Sequence, residues 1–190
     1  MAVHRARGAE FVRPHPPTLD GMRPADELVE VVDDDDCIVD VVARSVIRAR
    51  HLRHRCTYVV VLDPAGRVYV HRRSEAKDVY PGYYDVIAGG VNAVGESSEA
   101  CAAREIREEL GITARPTYRF VHRYDGPDGR CFGGVFDVVW HGPIVWQPTE
   151  VEWGSFVPLD EVDAMIKRER FCLDSLEVFE RWRREVQVEV

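Results

Sequence analysis

An α/β domain, with a mixed sheet layered against helices, is the fold class that this chain of 190 residues predicts. Three observations carry that expectation: short β-branched and aromatic runs separated by turn signals, one central stretch with helical periodicity, and two helical stretches that close the chain. With 45% hydrophobic and 31% charged residues, the length suits one domain with a real core.

Taken in order, residues 1–25, "MAVHRARGAEFVRPHPPTLDGMRPA", mix Pro, Arg and His without periodicity. They read as a flexible N-terminal extension, which leaves 26–190 as the folded domain. The acidic run Asp33 to Asp36 separates "LVEVV" from "CIVDVV" and suits a hairpin turn, because Asp bonds its own local backbone. The spaced ligands and glycine of a calcium loop are absent from it. "TYVVVLD", then Pro64-Ala65-Gly66, then "RVYVHRR" reads as a second hairpin. "YYDVIAGG" gives a further strand ending in a glycine pair. Ser98 is expected to cap a helix from Glu99 to Leu110 that stops at Gly111. "TYRFVHRYD" and "FGGVFDVVWHG" flank a turn at Gly126 to Gly129, and "WGSFVPL" adds the last strand. Helices follow from about Asp160 and about Asp174, the second expected to bury Leu176, Phe179, Trp182 and Val186.

Charge and cysteine content narrow the function classes. A net charge of -8 and a pI near 5.4 provide no global attraction to a nucleic acid polymer or an anionic membrane. There is no apolar run of membrane-spanning length and no secretion signal at the start. Cys37, Cys56, Cys101, Cys131 and Cys172 show no paired spacing, so they are expected to be reduced, in a cytoplasmic protein. Cys56 falls in an apolar strand and is expected in the core.

Chemistry concentrates in "GGVNAVGESSEACAAREIREELGI". On a helix, Glu105, Glu108 and Glu109 share one flank, where like charges repel by about 0.2 to 0.5 kcal/mol per pair. Ala103, Ile106 and Leu110 mark the side that should pack on the sheet, so the carboxylates are expected to face outward together. A hard divalent cation, Mg²⁺ first, would turn the repulsion into attraction. Arg104 lies four residues before Glu108 and can hold that acid in place. Gly89 and Gly90 allow close approach of backbone to a ligand or metal.

The residues form one pattern: Gly90, five residues, Glu96, seven residues, Arg104-Glu105-Ile106, one residue, Glu108-Glu109, one residue, Gly111-Ile112. This is the full Nudix box, and the chain resembles the Nudix hydrolase superfamily. "ELVEVVDDDD", "HLRHRCTYVVVLD", "HRRSEAKDVYPGYYD" and "EVEWGSFVPLDEV" are similar to the subgroup related to isopentenyl diphosphate isomerase, over residues 27–165. The resemblance implies an α/β/α sandwich that binds Mg²⁺ or Mn²⁺ and hydrolyses a diphosphate linkage in a nucleoside diphosphate or related small metabolite. It implies Glu105, Glu108, Glu109 and the Gly89 carbonyl as metal ligands. Glu105, the favoured base, would form the catalytic set with Glu109, Arg104 and Glu150, and Glu152 is close enough to compete with Glu150. Arg72, Arg73, Lys77 and Gly90 would bind the substrate.

The isomerase remains an alternative that the sequence counts against, because Gly89 and Val91 stand where that enzyme has its cysteine and a metal-binding histidine. Ile47 replaces another histidine, leaving only His54 of the set, and His51 and His54 read as structural or surface groups. A metabolite-binding regulator without turnover is the second alternative. Tyr80, Tyr83, Tyr84, Trp140, Trp146 and Trp153 include the base-stacking candidates, though strand aromatics are more often core. A homodimer is compatible with the sequence but not signalled by it.

Overall fold

The computed structural model describes residues 24–186, so the extension expected over 1–25 lies, apart from its last two residues, outside the described residues. The elements are β1 (Leu28–Val32), β2 (Ile38–Ala43), α1 (Arg44–Arg50), β3 (Arg53–Leu62), β4 (Val68–Arg73), β5 (Tyr84–Asp85), α2 (Ser98–Leu110), β6 (Thr117–Gly126), β7 (Gly129–Val139), β8 (Val151–Val157), α3 (Leu159–Ile166) and α4 (Leu173–Val186). No helix among the described residues is long and apolar enough to cross a membrane.

Local chemistry sets the turns. Asp33 Oδ1 accepts the amides of Asp35 and Cys37, both at 2.9 Å, and so closes the β1–β2 hairpin. Asp63 Oδ1 does the same at the β3–β4 turn with the amides of Ala65 and Arg67, and Gly66 there has φ +76°. The sheet is mixed: β3 runs parallel to β7 over ten residues, whereas the other strand-to-strand ladders of the described residues are antiparallel. β3 and β4 pair only at Leu62 and Val68 before parting, β3 towards β7 and β4 towards β8. Residues 84–91 cross the gap between them. Tyr84 and Asp85 pair with β4, and Ala88 and Val91 bridge to Val59 and Cys56 of β3.

Strand alternation distributes β3 between two cores. Cys56, Tyr58 and Val60 face α3 and α4, where Val162, Val178, Phe179 and Trp182 are buried. Val59 and Val61 face α2, packing with Ala102, Ile106, Leu110 and Phe136. Fully burying such side chains contributes roughly 1.5 to 3 kcal/mol each. The indole Nε1 of Trp182 donates to Asp137 at 2.9 Å, and Arg119 covers both oxygens of that same carboxylate at 2.8 and 2.9 Å.

Several expectations shift by one residue. Ser97, not Ser98, caps α2, its hydroxyl accepting from the Ala100 amide at 3.2 Å. Gly111 ends that helix at φ +68°, with its amide on the Arg107 carbonyl and the Ile112 amide on Ile106. Ala102 rather than Ala103 is buried, a rotation of one position around the helix. In α4 Val178 joins Phe179 and Trp182 in the core, whereas Leu176 and Val186 are only partly buried. The "YYDVIAGG" strand reduces to two residues and isolated bridges, and α1 forms within a stretch that reads as a basic run.

Candidate active site

A cleft of about 1110 Å³ opens where β3 and β4 part, walled by α2 on one side and the β4–β5 loop on the other. The glycine pair lets α2 come close. A Cβ on Gly90 would sit 2.5 Å from a Glu105 carboxylate oxygen, and one on Gly89, at φ +150°, 2.1 Å from the Thr57 carbonyl oxygen. At Gly89 the neighbour is backbone and only glycine fits, whereas at Gly90 an added Cβ would displace the Glu105 carboxylate.

Arg104 organises the acids of α2. Its guanidinium donates to both oxygens of Glu96 at 2.9 and 2.8 Å, to Glu105 at 2.7 Å, to Glu108 at 3.3 Å and to the Val91 carbonyl at 3.3 Å. The carboxylates do not face outward, as the helical wheel suggests. They turn into the cleft, where the Glu105 side chain is 14% exposed and Glu108, at the rim, 37%. Glu109 Oε2 accepts the Gly89 amide at 3.3 Å.

Burial disfavours charge on both inner acids. It raises Glu105 despite the opposing Arg104, and it pushes Glu109 up to about 8, with the Glu105 charge adding to the effect. Glu96 is held low by its bonds to Arg104. Among the described residues, no three His, Cys, Asp or Glu side chains converge closely enough to hold a metal ion, and Glu105 and Glu108 are paired with Arg104. The donor set nevertheless fits a hard divalent cation. Two inward carboxylates of raised pKa, Glu105 against Gly90 and Glu109 on the Gly89 amide, flank the glycine pair, and a cation there would relieve both burial and repulsion.

On the opposite wall, Arg73 and Lys77 line the cleft and Arg72 does not. Arg72 points to the other side, held by Glu75, Glu152 and the Gly82 carbonyl, which removes it from the expected phosphate-binding set. Glu152 pairs with Arg72 and does not line the cleft, while Glu150 lines it and pairs with Lys77. The loop carrying Glu150 hangs from α2, with the Gln147 amide on the Glu109 carbonyl at 3.1 Å. None of the six aromatic candidates lines the cleft: Tyr80 packs on Tyr83 at 5.0 Å, Tyr84 on Trp153 at 6.0 Å, Trp140 bonds the Pro143 carbonyl, and Trp146 packs on the core under α2. His54 does line it, kept neutral near pKa 4 by burial, whereas His51 is exposed and ends α1.

The cleft also contains residues that the sequence reading did not single out. Asp85 and Asp174, from β5 and the first turn of α4, line it together with Tyr58, whose hydroxyl donates to Asp174 at 3.2 Å and contacts the Cys131 sulfur at 3.2 Å. Asn92, almost fully buried, has no partner for Oδ1 among the described residues. The one signal for Asp85 was an acidic residue inside an apolar run.

The NUDIX domain family matches residues 52–181 of this chain. An uncharacterized Nudix hydrolase of Streptomyces coelicolor is 40% identical over 169 residues, covering 87% of this chain and 93% of that one. The uncharacterized Nudix hydrolase YfcD of Escherichia coli is 36% identical over 157 residues, covering 82% and 86%. The crystal structure of a Deinococcus radiodurans protein superposes with a TM-score of 0.68 at 23% identity, covering 82% of this chain and 98% of that chain, a likeness of fold.

Proposed function

The chain belongs to the Nudix family and is a Nudix pyrophosphohydrolase; from that premise we propose that it uses Mg²⁺, or Mn²⁺, to cleave a diphosphate linkage in a nucleoside diphosphate or related small metabolite. One observation carries the reading: the inward pair Glu105 and Glu109, in a glycine-lined recess, faces Arg73 and Lys77 across one cleft. Glu105, Glu108 and Glu109, with the Gly89 carbonyl, would hold the metal. When bound, it supplies electrophilic polarisation of a phosphoryl oxygen and a lowered pKa for water.

The chain's own groups do the remaining work. Arg73 and Lys77 neutralise the phosphates and fix their orientation, and Lys77 exchanges its Glu150 partner for a phosphate oxygen as substrate enters. Arg104, 2.7 Å from Glu105, favours the ionised carboxylate there, which suits Glu105 to accept the proton of the attacking water. Glu109 suits a metal ligand, because its burial otherwise favours the neutral form. Glu150 is the second acid at the mouth of the site.

The test is phosphate release from a panel of diphosphates in Mg²⁺, with products identified by mass spectrometry. Turnover should fall at least 100-fold in Glu105→Gln, and a folded variant that keeps wild-type turnover sinks the assignment. A second reading, isomerisation of a prenyl diphosphate, draws on the hydrogen-bonded row Asp174–Tyr58–Cys131, which could move protons within the same cleft. Deuterium uptake from solvent into isopentenyl diphosphate would favour it, and its absence would leave hydrolysis alone.

A further inference from the structure

By strand alternation Tyr69, His71 and Arg73 share one side of β4, and Tyr69 packs there in the core under α2 with Ala102, Ile106 and Leu110. Each of the three carries a buried polar atom with no hydrogen-bond partner among the described residues: the Tyr69 hydroxyl, His71 Nδ1 and Arg73 Nε. Buried polar groups are nearly always paired, so a row of such atoms ending at the cleft calls for a function.

The Tyr69 ring, 3% exposed, leans along the strand. Its residue pairs with Phe156, yet a Cβ on Gly154, opposite His71, would sit 1.9 Å from the Tyr69 oxygen. The tip is thus carried towards Arg73 and the cleft. His71, stacked on the ring at 6.1 Å, is lowered by burial to about 4, so it braces the ring and adds no charge. The one charge among the described residues that reaches the hydroxyl is that of Glu109, and burial together with that charge pushes the hydroxyl's pKa up, which keeps it a donor. Glu109 Oε2 takes the Gly89 amide at 3.3 Å. A carboxylate offers about four acceptor sites, so it has room for a second donor.

We propose that Tyr69 is a positioning residue for the metal site, its hydroxyl donating, directly or through one water, to Glu109 and aiming that carboxylate at the metal. This rests on the metal-dependent reading above and adds to it a residue from outside the loop and helix that carry the acids. Groups that orient a metal's ligands typically change its affinity roughly 10- to 100-fold when they are removed.

Mn²⁺ binding to the full chain, without substrate, is measured by electron paramagnetic resonance of the free ion. Tyr69→Phe should weaken it about ten-fold and raise by a similar factor the Mg²⁺ concentration that gives half-maximal turnover. In EDTA the urea midpoint of the variant should equal or exceed that of wild type, because Phe keeps the ring and removes an unpaired hydroxyl. A role in packing alone would lower the midpoint and leave the metal affinity unchanged. Mn²⁺ affinity within two-fold of wild type, a lower midpoint in EDTA, or a variant that does not fold overturns the proposal. Wild-type protein that binds no Mn²⁺ removes the metal reading along with it, whereas an unaffected Tyr69→Phe leaves that reading standing, so the two fail separately.

Discussion

Replacing Glu109 by Gln should abolish activity and yet stabilise the metal-free protein, by an amount that depends on pH. In the folded chain the carboxyl is pushed from 4.5 to about 8 by burial and by Glu105. Below pH 4.5 both folded and unfolded states are protonated and the group costs nothing. As pH rises the unfolded chain loses its proton first, so the folded state loses about 1.4 kcal/mol of stability per pH unit until the folded group also ionises. The full cost is on the order of 5 kcal/mol, of which about 1.5 kcal/mol accrues between pH 6.5 and 8. Gln keeps the shape and removes the titration. Asp174, raised by burial to about 6, and His54 and His71, lowered by burial to about 4, titrate in both proteins and cancel in the difference. Urea unfolding in EDTA at pH 5.5, 6.5 and 8 should show Glu109→Gln gaining on wild type as pH rises. Saturating Mg²⁺ should shrink that gain, because the ion stabilises the folded wild type by binding to it. A stability difference that is flat with pH, or that falls, refutes the burial argument.

Two further substitutions separate positions that the sequence treats as equivalent. Gly90→Ala meets only the movable end of Glu105, so it should fold with a loss under about 1 kcal/mol while displacing that carboxylate and lowering turnover at least 10-fold, whereas Gly89→Ala meets the Thr57 backbone and should cost more than about 2 kcal/mol in thermal or urea unfolding. Arg73→Ala should raise KM for a diphosphate about 10-fold or more, while Arg72→Ala, outside the cleft, should leave kcat/KM within about two-fold.

The part of the site legible in the sequence is the part that is contiguous. Gly90 to Ile112 is a single loop and helix, so spacing alone aligned Glu96 and Arg104 with the acids that Arg104 bonds. Parity was harder. Arg72 and Arg73 are neighbours on a strand, where successive side chains take opposite faces, and composition cannot say which enters the cleft. The same ambiguity moved the helix cap from Ser98 to Ser97 and the buried alanine from Ala103 to Ala102. The outward direction expected of the glutamates failed because a helix flank reads as solvent until it is known what stands opposite, here the segment that crosses from β4 to β3. Asp85 and Asp174 were out of reach for the same reason: they meet only through tertiary pairing of β5 and α4 with the sheet.

The single rung between Leu62 and Val68 joins the two halves of the sheet like the covers of a book, and the segment 84–91, paired with both, ties them together further along like a strap. The α2 acids ride mainly on one cover, over β3 and β7, and Arg73 belongs to the other. A molecule gripping both therefore lies across a span that the strap already sets. Ligands would be sorted by how well their length matches that span.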